Sequence, residues 1–240
     1  MSDYQMGTTK SDINNLIKHL RTISDLGIAR QSAKFFKTGK GEYGEGDKFL
    51  GIRVPVLRKI AKEQINVEFT EIIELLACGF HEVRLLALFI LIERYNNSSE
   101  QEKKFIANLY LSNTKCINSW DLVDASAHKI LGDYLEHKDK SPLYKLVRSS
   151  NLWERRIAMI ATLKFIGNGN FDDTIRLAEL LLKDNEDLIH KAVGWMLREV
   201  GKRNLERELD FLNRYSKVMP RTMLRYAIER LPQEMRYEYL

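Results

Sequence analysis

At 240 residues and 44% hydrophobic content, the chain has ample apolar side chains for a packed core and could form one large domain or two small ones. No run approaches the roughly 18–20 apolar residues that span a bilayer, and the opening MSDYQMGTTKSD lacks the apolar stretch of a secretory signal. The 38 basic against 33 acidic residues give +5 and a pI near 9.0, which alone is weak evidence for a polyanionic partner because solvated helices carry many lysines.

In chain order, residues 1–10 read as a frayed end. Helical patterns follow at 11–27 and 29–37. The segment TGKGEYGEGDKFLG (38–51) has five glycines but no Gly-Lys-Ser/Thr, and its acidic residues would repel phosphate, so it reads as a structural crossover. Helices are then expected at 54–66, 69–78, 81–96, 99–113, 118–135, 141–149, 151–167, 171–183, 187–202, 204–217, 220–230 and 232–238. Pro55, Pro142, Pro220 and Pro232 all sit where a helix would begin, the position that tolerates a missing amide hydrogen. Ser99 with Glu102 and Asn151 with Glu154 have capping-box spacing. Strand signals are nearly absent. Cys78 and Cys116 read as reduced, buried thiols, because their spacing fits no metal site and each lies among apolar residues.

The later helices recur. Starts near His81, Asn118, Asn151, Asp187 and Pro220 are 37, 33, 36 and 33 residues apart, with Ala87, Ala125, Ala158, Ala192 and Ala227 in phase. A period of this size marks stacked helix pairs, and a small residue at each crossing allows close approach. The expected fold is all-α: an α-solenoid (superhelix) of HEAT-like helical pairs, forming one domain over 11–240.

Three copies place a tryptophan near a charge. Trp120 and Asp124 are four apart and share a helix face, with Leu122, Ala125 and Ile130 expected on the core side. Asp121 reads as a complement to the helix N-terminal dipole. Arg155 and Arg156 cannot both face the core beside Trp153, so at least one points outward. Trp195 and Arg198 are three apart, and Gly194 removes a side chain in mid-helix, which points to close approach by a helix or a ligand. Spacing alone leaves ordinary packing and surface charge open for each pair. Together, indoles, a carboxylate and several guanidiniums suit a cationic aromatic group on a polyanion, such as an N-alkylated purine in DNA. Basic residues from Arg198 onward, among them Lys202 and Arg225, could line one wall of a stack. The five histidines are scattered, which argues against a metal site, and no Gly-x-Ser-x-Gly elbow is present.

The pieces YGEGDKFLGIRVPVLRKIAK (43–62), NSWDLVDASA (118–127), SNLWERRIAM (150–159) and HKAVGWMLREVGK (190–202) resemble the AlkD-type DNA alkylation repair glycosylases, and the resemblance runs from about residue 13 to 238. It implies HEAT-like repeats and hydrolysis of the N-glycosidic bond of 3-methyladenine and 7-methylguanine in double-stranded DNA. It further implies that no metal or cofactor takes part and that the damaged base need not enter a deep pocket. Asp124 would be the catalytic carboxylate, with Trp120 and Trp195 lining the lesion-facing groove. Arg156 and Arg198 would hold the DNA backbone, with Arg155, Lys202 and Arg225 as further candidates. A cytoplasmic monomer, nucleoid-associated when bound to DNA, is expected. The alternative is a non-catalytic HEAT-like module that binds DNA structure or a protein partner.

Overall fold

The computed structural model describes residues 10–240, with side chains from Ile13 onward. Of the segment expected to fray, only Lys10 falls among the described residues, and it opens the first helix. The described residues are all-helical, and their only strand-like pairing is an isolated bridge between Lys48 and Phe80. No helix among them is long and apolar enough to cross a membrane. The chain divides into two compact units, one ending at Leu122 and the other spanning Val123–Leu240.

The first unit contains α1 (Lys10–Thr22), α2 (Leu26–Phe35), α3 (Val54–Glu63), α4 (Phe69–Leu76), α5 (His81–Asn96) and α6 (Glu100–Ser112). A 3-10 turn (Thr114–Cys116) and the start of α7 (Trp120–Ala127) complete it. Its centre is α5, whose apolar residues run around the whole helix and which packs against α3 and α4. A helix that is apolar on all sides must be buried, and each large side chain removed from water contributes about 1.5–3 kcal/mol.

Where one helix was expected over 11–27, the chain turns after Thr22. The Asp25 carboxylate accepts the Ile28 amide hydrogen at 2.9 Å and so caps α2. Gly51 makes this turn possible: its φ is +80°, and a Cβ there would lie 2.0 Å from the Asp25 carbonyl oxygen. The glycine-rich loop is closed on itself, with Glu42 accepting the Gly39 amide and Glu45 the Gly41 amide, both at 2.8 Å. Buried Glu82 then accepts the amides of Leu50, Gly51 and Ile52 at 2.8, 2.7 and 3.3 Å, fixing the loop on α5. The loop is a crossover, as its acidic residues predict.

The second unit takes α7 into a π-helical turn (His128–Gly132) and α8 (Asp133–Leu135). It continues through α9 (Ser141–Leu146), α10 (Leu152–Ala161), α11 (Leu163–Gly167), α12 (Asp172–Leu180) and α13 (Asp187–Gly201). It ends with α14 (Leu205–Tyr215), α15 (Arg221–Ala227), a 3-10 turn (Ile228–Arg230) and α16 (Gln233–Tyr239). Helix α13 packs chiefly on α15, and also on α10 and α14. At its centre a Cβ on Gly194 would lie 2.4 Å from the Met223 carbonyl oxygen, so the close approach expected there is made by another helix.

Four expectations need correction. Helix 118–135 runs unbroken from Trp120 to Leu135 but not as regular α-helix throughout: its π-turn coincides with Gly132 seated on the Ala161 carbonyl, 2.3 Å from where a Cβ would be. Helix 151–167 breaks at Thr162, whose hydroxyl donates to the Met159 carbonyl at 2.7 Å and competes with the backbone ladder. Ala87, Ala158, Ala192 and Ala227 are buried in phase, but Ala125 is half-buried, because α7 turns Leu122, Val123, Ser126 and Ala127 inward instead. The cysteines are free thiols, half-buried rather than buried, because both lie at helix ends.

Polar rungs tie neighbouring repeats together within each unit. Glu82 with the 50–52 amides, Asp47 with His81, Tyr144 with Asp173, Arg155 with Asp184 and Tyr215 with Glu179 link positions 29 to 36 residues apart. These separations match the period of the sequence.

Candidate functional site

In the second unit, Asp124 and Arg156 form a bidentate pair: Arg156 Nε donates to Oδ1 at 2.9 Å and Nη2 to Oδ2 at 2.8 Å. The third arm, Nη1, donates to the Leu188 carbonyl at 2.5 Å. One guanidinium thus joins α7, α10 and the first turn of α13. The Arg156 side chain is 5% exposed and that of Asp124 is 17% exposed. A fork–fork pair fixes both the charge and the plane of the carboxylate. The guanidinium that the sequence directs at a phosphate is paired with Asp124 in this structure.

Three of the other basic candidates are also placed among carboxylates. Arg155 binds Asp184 through Nε at 2.6 Å and Nη2 at 3.2 Å, and its Nη1 donates to the Ser149 and Ser150 carbonyls. Arg198 pairs with Glu229. Lys202 binds Glu199 at 2.6 Å, and the half-buried Trp195 donates its Nε1 hydrogen to the same carboxylate at 3.2 Å. Trp195, Glu199 and Lys202 therefore form one polar strip along α13. Arg225 is exposed on α15. Trp153 is a core residue at 7% exposure.

His128 sits in the π-turn, one turn beyond Asp124. Burial pushes its pKa down to about 4, assisted by the charge of Lys129. The imidazole is therefore neutral at physiological pH, and its buried Nδ1 has no hydrogen-bond partner.

In the first unit, half-buried Trp120 opens α7 against a stack of rings. It lies parallel to Phe36 (5.3 Å between centroids, 17° between planes) and edge-on to Phe35 (5.9 Å, 70°). Phe36 stacks on Phe49 at 5.1 Å, and Phe49 on His81 at 4.6 Å. Beneath the stack, His81 is held between two carboxylates, Nδ1 to Asp47 and Nε2 to Asp121, both at 2.8 Å. Arg84 donates Nη2 to both Asp47 oxygens. Burial opposes the His81 charge, but the hydrogen bonds and charges of Asp121 and Asp47 outweigh it and raise the pKa to about 9. Burial also disfavours the Asp47 anion, yet His81 and Arg84 together hold it below the usual range. Both ring nitrogens donate, so His81 is an imidazolium with no lone pair left for a metal. Asp121 is thus more than a complement to the helix dipole.

The Asp47–His81–Asp121 cluster was not legible as a unit in the sequence, because its members lie 34 and 40 residues apart with no motif between them. The repeat period was the available signal, since both separations fall near one repeat.

Residues 16–231 match the model of a family described as DNA alkylation repair enzyme. The chain belongs to this family. Its role is therefore in the repair of alkylated DNA, as an enzyme. Comparison with proteins of curated function finds no match. Among solved structures, this family member is similar to a predicted DNA alkylation repair enzyme from Enterococcus faecalis, at TM-score 0.67 and 19% identity over 88% of this chain and 97% of that one. It is also similar to AlkD2 from Streptococcus mutans, at TM-score 0.53 and 17% identity over 93% and 99% of the two chains. At these identities the likeness shows the shared helical-repeat fold alone.

Proposed function

We propose that this family member is a DNA glycosylase that hydrolyses the N-glycosidic bond of cationic purines, 3-methyladenine and 7-methylguanine, in duplex DNA. The observation that carries the reading is a carboxylate held in one plane by a buried arginine fork while part of it still meets solvent. The pair would stabilise a purely DNA-binding module as well, but such a module has no use for a carboxylate left partly open to solvent, since an anion repels phosphate.

The chemistry asks little of the protein. A purine alkylated at N3 or N7 is already a good leaving group, so no acid is needed to protonate it. As the bond breaks, positive charge moves onto the deoxyribose, where Asp124 stabilises it and orients the attacking water. Arg156 acts through Asp124 by fixing the carboxylate. Trp120 and Trp195 offer indole faces to the cationic base and sugar. Arg198, Arg155, Lys202 and Arg225 are the phosphate candidates, the first three by exchanging their present carboxylate partners for DNA. The base need not enter a deep pocket.

The test is release of free 7-methylguanine from a methylated duplex under single-turnover conditions. Asp124→Asn keeps the shape and removes the charge, so excision should fall at least about tenfold, equivalent to roughly 1.4 kcal/mol of transition-state stabilisation, with DNA binding retained. Wild-type excision by Asp124→Asn would remove the carboxylate from the mechanism. DNA binding without release by the unaltered protein would favour a non-catalytic module.

A further inference from the structure

His81 is a buried charged group of the first unit that this chemistry leaves unused. Its side chain is 3% exposed, so it meets no DNA. It reaches Trp120 by two routes. Along the chain, its Nε2 hydrogen bond holds Asp121, the residue next to Trp120 at the start of α7. Through the rings, His81 lies on Phe49 at 22°, Phe49 on Phe36 at 24° and Phe36 on Trp120 at 17°. The backbone of Trp120 and the plane of its indole are thus both referred to the same buried ring. We infer that His81 is the positioning residue for Trp120: the imidazolium clamped between Asp47 and Asp121 fixes the Phe49–Phe36 stack and with it the angle of the indole. This rests on reading Trp120 as a lesion-facing residue.

The clamp depends on the proton. An imidazolium donates from both nitrogens, whereas a neutral ring donates from one, so deprotonation gives up the bond to one carboxylate. The charged groups around the ring are Asp47 from the loop, Asp121 from α7, and Arg84 and Glu82 from α5. Glu82 is committed to the amides of residues 50–52, and Arg84 to Asp47. A cavity of about 370 Å³, lined in part by Phe36, Phe49, His81 and Asp121, gives solvent a path to the cluster. The clamp is therefore closed at neutral pH and opens as pH rises through about 9.

The experiment is fluorine NMR of the full chain labelled with 5-fluorotryptophan, between pH 7 and 10, with the Trp120 signal assigned by Trp120→Phe. The Trp120 signal should shift or broaden with a midpoint near 9. Asp121→Asn removes one of the two carboxylates and should lower that midpoint by about one unit or more. His81→Gln should abolish the transition and lower single-turnover excision at pH 7 by about tenfold, with DNA affinity unchanged, because a misaligned group weakens chemistry more than binding. Should His81→Gln fail to fold, Phe49→Leu removes one of the two rings on His81, leaves only the tilted contact with Phe36 at 4.8 Å and spares the ion pairs, and it should broaden the Trp120 signal at pH 7. A Trp120 signal that stays flat from pH 7 to 10, or full excision by a folded His81→Gln protein, overturns the inference. Failure of the unaltered protein to release 7-methylguanine would sink the proposed function and leave the fluorine result standing.

Discussion

Replacing Arg156 with methionine keeps most of the side-chain volume and removes three donated hydrogen bonds, two to Asp124 and one to the Leu188 carbonyl. Breaking a buried ion pair costs about 3–5 kcal/mol, and an exposed one at most about 1 kcal/mol. With the guanidinium 5% and the carboxylate 17% exposed, the expected loss is about 2–4 kcal/mol of folding stability. Asp124→Asn leaves an amide oxygen for one guanidinium hydrogen but strips the buried guanidinium of its counter-charge, and should cost about 2–3 kcal/mol. Combining the two substitutions should cost about 1–2 kcal/mol less than their sum, because the second partner has already lost its purpose. Urea unfolding of the four proteins at pH 7 measures this coupling. Additivity within about 0.5 kcal/mol would refute the pairing. The same variant separates the two roles open to Arg156. One lost phosphate contact lowers the slope of log affinity against log salt by about 0.9, whereas a guanidinium committed to Asp124 leaves the slope unchanged and lowers excision instead. A slope reduced by a full contact would assign Arg156 to the DNA backbone.

Gly194→Ala would place a Cβ 2.4 Å from the Met223 carbonyl and 2.5 Å from Tyr226 Cβ. Overpacking of about 1–3 kcal/mol should exceed the helix-propensity gain of about 1 kcal/mol, so the melting temperature should fall by a few degrees, and a rise would contradict the close crossing. Burial raises the Glu208 carboxyl from 4.5 to about 8, against the opposing charge of Arg198. The folded chain therefore holds a proton that the unfolded chain releases, and this contribution to stability is lost as pH rises from about 4.5 to about 8. Glu208→Gln should flatten that decline in urea midpoint between pH 5 and pH 8, and parallel declines in the two proteins would exclude it.

Helix positions were legible because the apolar period, the prolines and the caps agree. Ser99 accepts the Glu102 amide, as its spacing predicts, whereas Asn151 caps its helix through the Trp153 amide rather than that of Glu154, and the complete reciprocal capping box lies at Glu68 and Glu71, where no Ser or Thr advertises it. The breaks were not legible. The turn at Asp25 depends on Gly51, 26 residues away, and the π-turn coincides with the seat of Gly132 on Ala161, so both are tertiary events. Trp120 and Asp124 could be read as sharing a face of α7 because helical spacing is local. The partner of Asp124 could not, since a lone arginine 32 residues on gives no sign of whether it faces a phosphate or a carboxylate. His81 was the least legible: its charge comes from two aspartates, one in a loop and one on another helix.

The polar rungs have a consequence for how each unit assembles. Every rung closes a loop of nearly the same length, and closure entropy grows only with the logarithm of that length. No rung therefore has to wait for distant segments to meet, and the contact order within each unit stays low. Assembly can start at any helix pair and grow by accretion to its neighbours, as coupling between nearest neighbours allows. Bonds such as Tyr144–Asp173 and Tyr215–Glu179 then act as stitches between adjacent pairs, and a broken stitch loosens the fabric locally without unravelling the whole unit.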